Sequence, residues 1–348
     1  MINLARRLTR ARREYLRTTV SMNDIIKRLV CWLTPGVLAC NCAANAQDKP
    51  AGYPVRPIRF IVSVAPGAGA DAIARAAAQM LTDRWGQQVV VDNRPGGGGV
   101  IATELVAKAP PDGYTILSQG DTVMLQGATK RVSFDVLKAF DPVVPTSFQP
   151  YVLVANLGLP VSSIKELVAY SATRTVLYSG SSGVGTGVHL GMEQFAKLSG
   201  AKLLFVPYKG SAPSILAVMG GEIDLAAASS IAASGALRTG KVRALATLGL
   251  TRIPAMPDLP TVAEQGFPGF KITNRYNLWA PAGTPRAIIA AINRVVSDGM
   301  HSPAMTRRLE ADGSQPAERM TPAELKAAIA REYVEIEQQV KQLNIKIE

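Results

Sequence analysis

The sequence predicts an α/β protein with largely parallel sheets, divided into two domains around a ligand cleft. Three observations carry that expectation. Strand-like and helix-like segments alternate almost without interruption after Pro54, which is the mark of βαβ construction. Three glycine- or hydroxyl-rich turns each follow an apolar, strand-like run and open a helix. Two proline-rich segments without helical period stand where a chain would leave one sheet and enter another.

The elements follow in order from composition and period. Runs rich in β-branched residues place strands at 56–64, 87–92, 113–118, 143–155, 175–179, 202–206, 222–227, 242–248 and 271–280. Helical stretches lie between them near 70–84, 98–108, 163–171, 186–199, 212–220 and 230–238, and three more close the chain. Thr321-Pro322-Ala323-Glu324 sets a cap, a first-turn proline and a reciprocal acid in order, and Ser163 to Glu166 and Thr261 to Glu264 repeat the capping-box spacing. The segment "DPVVPTSFQPYVLVANLGLP" is extended, with three internal prolines, and suits a first crossing between sheets; "KVRALATLGLTRIPAMPDLP" suits a second. Two crossings make residues 149–249 an inserted domain, with 53–148 and 250–348 forming the other.

The 348-residue chain carries a net charge of +12, and half of it sits in residues 1–52, where nine Lys/Arg face three acids. The remainder is only mildly basic and unstriped, so no nucleic acid is expected. Lys27 and Arg28 precede an apolar segment that ends on Ala44-Asn45-Ala46, so residues 1–46 read as an export signal, cleaved after Ala46, with Met22 as the start. A second route, lipidation at Cys40 in "VLAC", is the weaker reading because Leu is unusual at the second box position. Cys31, Cys40 and Cys42 all lie in this segment, so cleavage leaves neither a disulfide framework nor a thiol nucleophile.

The first turn, in "FIVSVAPGAGADAIAR", spells G-x-G-x-x-A through Gly67, Ala68, Gly69 and Ala72, as a dinucleotide fold would. An isolated match of that kind is more often a plain strand-to-helix turn. Two similar turns change the weighting: "SGSSGVGTGVHL" brings Ser181, Ser182, Gly183, Gly185 and Thr186, and "VPYKGSAP" brings Gly210 and Ser211. Helix N-termini bind anions because their first N–H groups lack intrahelical partners and the macrodipole adds partial positive charge. Donors facing one another across a cleft suit a small carboxylate. Asp71, in the first helical turn, would repel a pyrophosphate but can cap its own helix or take the ammonium of an amino acid. No nicotinamide or other cofactor is expected.

Enzyme signatures are thin. His189 and His301 are the two histidines, neither in a zinc motif, and no nucleophile elbow or metal-spaced cluster appears. A serine esterase using Ser181 or Ser182 with His189 lacks an acid partner, so a non-enzyme is expected. His189 reads first as a bracket for its own turn, and Arg275 is balanced between a surface role and a ligand role.

Taken together, "YPVRPIRFIVSVAPGAGADAIAR", "QQVVVDNRPGGGGVIATELVAKAPPDGYTIL", "SSGVGTGVHL", "VPYKGSAP", "GGEIDL", "VRALATLGLTRIPAMPDLPTVAEQGFPGF" and "APAGTP" resemble the Bug-type, or tripartite tricarboxylate transporter, periplasmic substrate-binding receptors. The resemblance runs from about Tyr53 to the C-terminus. It implies a two-domain periplasmic-binding-protein-like fold, type II-like, with two interdomain crossings and a cleft that closes as a hinge. It implies a ligand grip on Gly67, Ala68, Gly69 and Asp71 from one side and on Ser181, Gly183, Gly185, Thr186, Gly210 and Ser211 from the other, with His189 supporting its loop. The implied partners are a small organic carboxylate and membrane permease subunits, the implied state a monomer, and the implied location the periplasm. A sensor handing the closed form to a membrane kinase would use the same site. The chain departs from the family pattern at Ala68, at Ala139, in "DTVMLQGATK" without the usual Asn-Pro, and at Arg275 and Asn277 in place of Trp and Gly. The grip rests on backbone groups and survives these changes; Arg275 either meets a second carboxylate in the distal pocket or sits at its rim. Dicarboxylates, tricarboxylates, acidic amino acids and aromatic acids are not separated by the sequence.

Overall fold

A computed structural model of the protein describes residues 49–343. The expected export signal over 1–46, the start at Met22, the cleavage after Ala46, the lipidation at Cys40 and all three cysteines lie outside the described residues. Among those described, no helix is long and apolar enough to cross a membrane.

One group of strands contains β1 (Ile58–Val62), β2 (Val89–Asn93) and β3 (Thr115–Gly120), with β1 parallel to both neighbours. Their connections are α1 (Gly69–Trp85), a 3-10 turn (Gly97–Gly99) and α2 (Val100–Ala107). After β3 come two short helices, α3 (Thr122–Ala128) and α4 (Val136–Ala139), which sequence reasoning left unassigned because each spans two turns or fewer.

The seventeen-residue β4 (Phe140–Asn156) then joins this group to a second. That group comprises α5 (Ile164–Ala172), β5 (Leu177–Ser181), α6 (Gly187–Ser199), β6 (Leu203–Pro207), α7 (Ser211–Gly220), β7 (Leu225–Ser229), α8 (Ser230–Arg238) and β8 (Val242–Thr247). The chain returns through β9 (Thr273–Pro281) and finishes with α9 (Arg286–Met300), α10 (Pro303–Ala311), β10 (Gln315–Pro316) and α11 (Pro322–Leu343).

The sheet order is β2-β1-β3-β9-β4-β7-β5-β6, with β8 and β10 also paired to β4. The expectation of largely parallel sheets holds for the two triplets, β2-β1-β3 and β7-β5-β6. At their junction it does not, because β9 and β4 run antiparallel to each other and to the strands beside them. The reason lies in β4. Residues 140–150 pair with β9 and residues 151–156 with β7 and β8. Its ladder to β9 shifts register at Pro142 and again at Pro145, since a proline cannot donate to a ladder and bulges absorb the lost bond.

The alternation of β4 feeds a separate core on each face. Leu153 and Ala155 pack with Ile164, Leu167 and Phe195, while Val152 and Val154 pack with Ile215 and Val218. Further back, Val143 and Val144 join the core of α1 and α9, and Phe140 joins Leu117, Trp279 and Leu325 on the opposite face.

The capping boxes split in outcome. Thr321 and Glu324 bond reciprocally and α11 follows. Thr261 and Glu264 make the same two bonds, at 2.7 and 2.9 Å, yet only a turn follows. Gly266, Pro268 and Gly269 come next and no helix can propagate through them.

Leu153 is fully buried on the strand both groups share. Leu153→Ala is expected to lower unfolding free energy by about 2–5 kcal/mol, read as a lower urea midpoint. A loss near zero would show that β4 is not a core strand.

Candidate functional site

Backbone geometry builds this site before any side chain does. A strand that ends in a turn and re-enters the sheet through a helix leaves the first helical N–H groups pointing off the strand's C-terminal end. Here α1, α2, α6 and α7 all begin beside one small cavity of about 30 Å³, with Ala68 and Ala70, Gly98 and Gly99, Thr186, and Ser211 in its wall. That is room for one or two water-sized groups, the scale of a carboxylate. Ser63, Val64, Gln119, Gly120, Thr122 and Ser182 line it too, and Tyr151, Asn274 and Tyr276 close it on the side of β4 and β9. Its wall therefore holds helix ends, hydroxyls and amides but no charged side chain.

Local bonds explain how each turn is held. Asp71 is buried and accepts from Gly67 N–H at 3.0 Å, from Arg75 Nε at 3.0 Å and from Asn93 Nδ2 at 2.9 Å. Burial alone would raise its pKa, but these partners, Arg75 foremost, hold the carboxyl below its ordinary value. Its oxygens are thus spent on the loop rather than offered to an ammonium group. Thr186 donates to Gly183 O at 2.8 Å and accepts from His189 N–H at 3.4 Å. His189 Nδ1 accepts from Gly185 N–H at 3.2 Å, and its Nε2 faces Glu193 at 3.7 Å. Burial, then the nearby Arg131 charge, lowers the His189 pKa and keeps the ring neutral. Both ring nitrogens are directed elsewhere than Ser181 and Ser182; those hydroxyls meet Gly183 N–H and Thr186 instead. Ser211 Oγ accepts from Ser229 N–H at 3.2 Å.

The loops also meet one another. Ala65 N–H donates to Lys209 O at 2.8 Å, and the Arg131 guanidinium donates to Val184 O. Gly98, at φ +62°, lies so close to Val184 that a Cβ there would stand 2.2 Å from its carbonyl oxygen. Gly183, at φ +124°, faces Gly98 in return, with a Cβ position 3.0 Å from its Cα.

Of the residues singled out from sequence, Ala68, Thr186 and Ser211 line the cavity directly; Gly67, Gly69, Asp71, Gly183, Gly185 and His189 shape the turns behind it; Ser181 lies at the end of β5; and Gly210 caps α7 against Val64. Arg275 is not brought to them. Strand alternation turns Asn274 and Tyr276 toward the cavity, and Arg275 faces Glu332, at 2.9 and 2.6 Å, and Asp121, at 3.5 Å. Its guanidinium is neutralised by acids of its own chain, so it does not stand ready for a second carboxylate.

Sequence reasoning missed Gly98, Gly99, Gln119, Tyr151 and Asn274. The run "VVVDNRPGGGGV" repeats the strand, glycine turn and helix order and was the available signal for the first two. Gln119 is buried; its Oε1 accepts from Thr103 Oγ1 at 3.1 Å, and its Nε2, a donor beside the cavity, has no partner among the described residues. The Tyr151 and Tyr276 hydroxyls bond to each other, and burial pushes Tyr276 up to about 12, so it stays a neutral donor.

A match to the model of the tripartite tricarboxylate transporter family receptor covers residues 73–344. Among solved structures, the periplasmic binding protein BugD is 30% identical with a TM-score of 0.80, over 84% of this chain and 99% of that one. Rpa4515 of R. palustris, solved with adipate, is 32% identical with a TM-score of 0.79, over 84% and 99%. MatC of Rhodopseudomonas palustris, solved with bound malate, is 29% identical with a TM-score of 0.77, over 82% and 99%. The chain belongs to the tripartite tricarboxylate transporter receptor family, and its fold is that of the periplasmic binding proteins.

The cluster behind the cavity carries a pH signature. Burial, opposed by Arg275 and reinforced by the charge of Glu332, lifts the Asp121 carboxyl to about 6. A carboxyl raised on folding contributes stability that is complete below its unfolded value and is lost as pH rises through the folded one. Relative to Asp121→Asn, the wild type is expected to lose up to about 3 kcal/mol between pH 4 and 7. Parallel pH profiles of the two melting temperatures would contradict this.

Proposed function

We propose, from membership of this receptor family, that the chain captures a small organic carboxylate in the cavity where the helix N-termini meet, and delivers it to membrane subunits of a tripartite transporter. One observation carries the carboxylate reading: four helix N-termini, two from each strand group, converge on a cavity without a charged wall. Each N-terminus presents roughly half a positive charge. A carboxylate suits both that potential and the available volume.

On this reading Ala70, in the first turn of α1, offers an N–H donor from one side, with the Gln119 amide and the Tyr276 hydroxyl beside it. Ser211 offers its hydroxyl proton and N–H, and Ser182 its N–H, from the other, while Thr186 holds the turn between them. Residues 53–148 with 250–348 act as one lobe and 149–249 as the second, and β4 and β9 are the crossings about which they hinge. The bonds from the two lobes are completed together only when the loops meet, so the ligand favours the closed form by its differential affinity. The structures solved with adipate and malate belong to relatives of this chain and support a carboxylate as ligand class. The protein works in the periplasm, as a monomer and without catalysis.

A thermal-shift panel of mono-, di- and tricarboxylates tests this. At a hundredfold excess over Kd, a true ligand adds about 2.7 kcal/mol and is expected to raise Tm by about 5 °C or more. Stabilisation by none of them, together with turnover of an ester or amide, would overturn the receptor reading.

Gly98→Ala tests the closure separately. Its methyl group would strike the Val184 carbonyl, so we expect at least tenfold weaker binding by calorimetry with the unliganded circular dichroism unchanged. Undiminished affinity would show that these two loops need not meet.

A further inference from the structure

A second cavity, of about 490 Å³, adjoins the small one and shares Thr122 and Asn274 with it. A ligand that has its carboxylate among the helix N-termini and extends past these two residues would place its far end in the larger space. The wall there mixes apolar side chains, Leu125, Leu190, Ile272 and Ile336, with the polar Thr122, Gln194, Asn274 and Gln339, and contains a single acid, Asp121.

Asp121 is not neutralised by its neighbours. Arg275 makes its short bonds, 2.9 and 2.6 Å, to Glu332. What reaches Asp121 is longer: Arg275 N–H at 3.2 Å, the guanidinium at 3.5 Å and Asn277 Nδ2 at 3.4 Å. One cation thus serves two carboxylates, which leaves a net negative charge and spare acceptor capacity facing the cavity. Arg275 and Asn277, neighbours on one face of β9, both bond to Asp121. The opposing influence is Lys271, the one cation of the wall. It is exposed and also borders a separate cavity beside β10, so water screens it. Asp121 keeps only 28% of its side-chain surface exposed and is screened less.

We propose that Asp121 is the specificity-determining residue of a distal subsite, and that it selects a carboxylate bearing an ammonium or hydroxyl group at its far end over one bearing a second carboxylate. The inference rests on the carboxylate grip proposed above. It separates this chain from its relatives solved with adipate and malate, both of which are dicarboxylates. A hydrogen bond from an ammonium group to a partly buried carboxylate is strong and specific, whereas a second carboxylate would meet an uncompensated like charge.

Calorimetric titration at pH 7.5 with two matched series tests it. One series is butyrate, 4-aminobutyrate, 4-hydroxybutyrate and succinate; the other is hexanoate, 6-aminohexanoate, 6-hydroxyhexanoate and adipate. In at least one series the amino or hydroxy acid is expected to bind tenfold or more tighter than the dicarboxylate, and Asp121→Asn is expected to bring that ratio within threefold. Tighter binding of the dicarboxylate to the wild type in both series would overturn the selection while leaving the grip intact. A ratio unchanged in Asp121→Asn would remove Asp121 as its cause. Failure of every compound, butyrate and hexanoate included, would remove the grip itself and this inference with it.

Discussion

Like ends of helix dipoles meeting at one buried point repel, and that constraint organises this protein. The N-termini of α1, α2, α6 and α7 surround a cavity whose wall supplies no compensating carboxylate. Asp71, in the first turn of α1, holds Gly67 and is occupied by Arg75 and Asn93. An arrangement of that kind favours contact of the two strand groups when an anion offsets the repulsion. On the proposed reading, ligand capture and closure are one event.

For that event to be specific, the two halves must be rigid and their connection narrow. The long strand β4 ties the two groups together. Its first part belongs to the ladder with β9 and its last part to the ladder with β7 and β8, so one continuous strand enters separate cores. The register shifts at Pro142 and Pro145 lie on the first side of the junction. Tyr151 stands at the changeover and Tyr276 bonds to it from β9, so β4 and β9 also furnish one wall of the cavity.

What was legible in the sequence was local. A strand, a glycine or hydroxyl turn and a helix form a contiguous unit, so the turns at Gly67–Gly69, Ser181–Thr186 and Gly210–Ser211 were found without knowing what they face. The family resemblance supplied the partners of those turns, and the match over residues 73–344 shows the family. What was not legible depended on long-range pairing. The direction of β9 is set by β3 and β4, and strand alternation then decides that Asn274 and Tyr276 face the cavity while Arg275 faces Glu332. No local pattern fixes that parity. Gln119 was missed for the same reason, since its importance comes from Thr103 holding one end of the amide and leaving the other free. Thr261 and Glu264 show the opposite failure: a complete local signal was present, and the glycines and proline that follow denied it a helix.

The most direct test of the central claim is a crystal structure of the protein with a stabilising carboxylate bound. A carboxylate is expected within hydrogen-bond distance of N–H groups at the start of α1 and of groups from Thr186 or Ser211, with the Ala65–Lys209 contact intact. A carboxylate seated instead in the larger cavity of about 940 Å³ beside Phe148 and Ile253, with the helix N-termini apart, would contradict it.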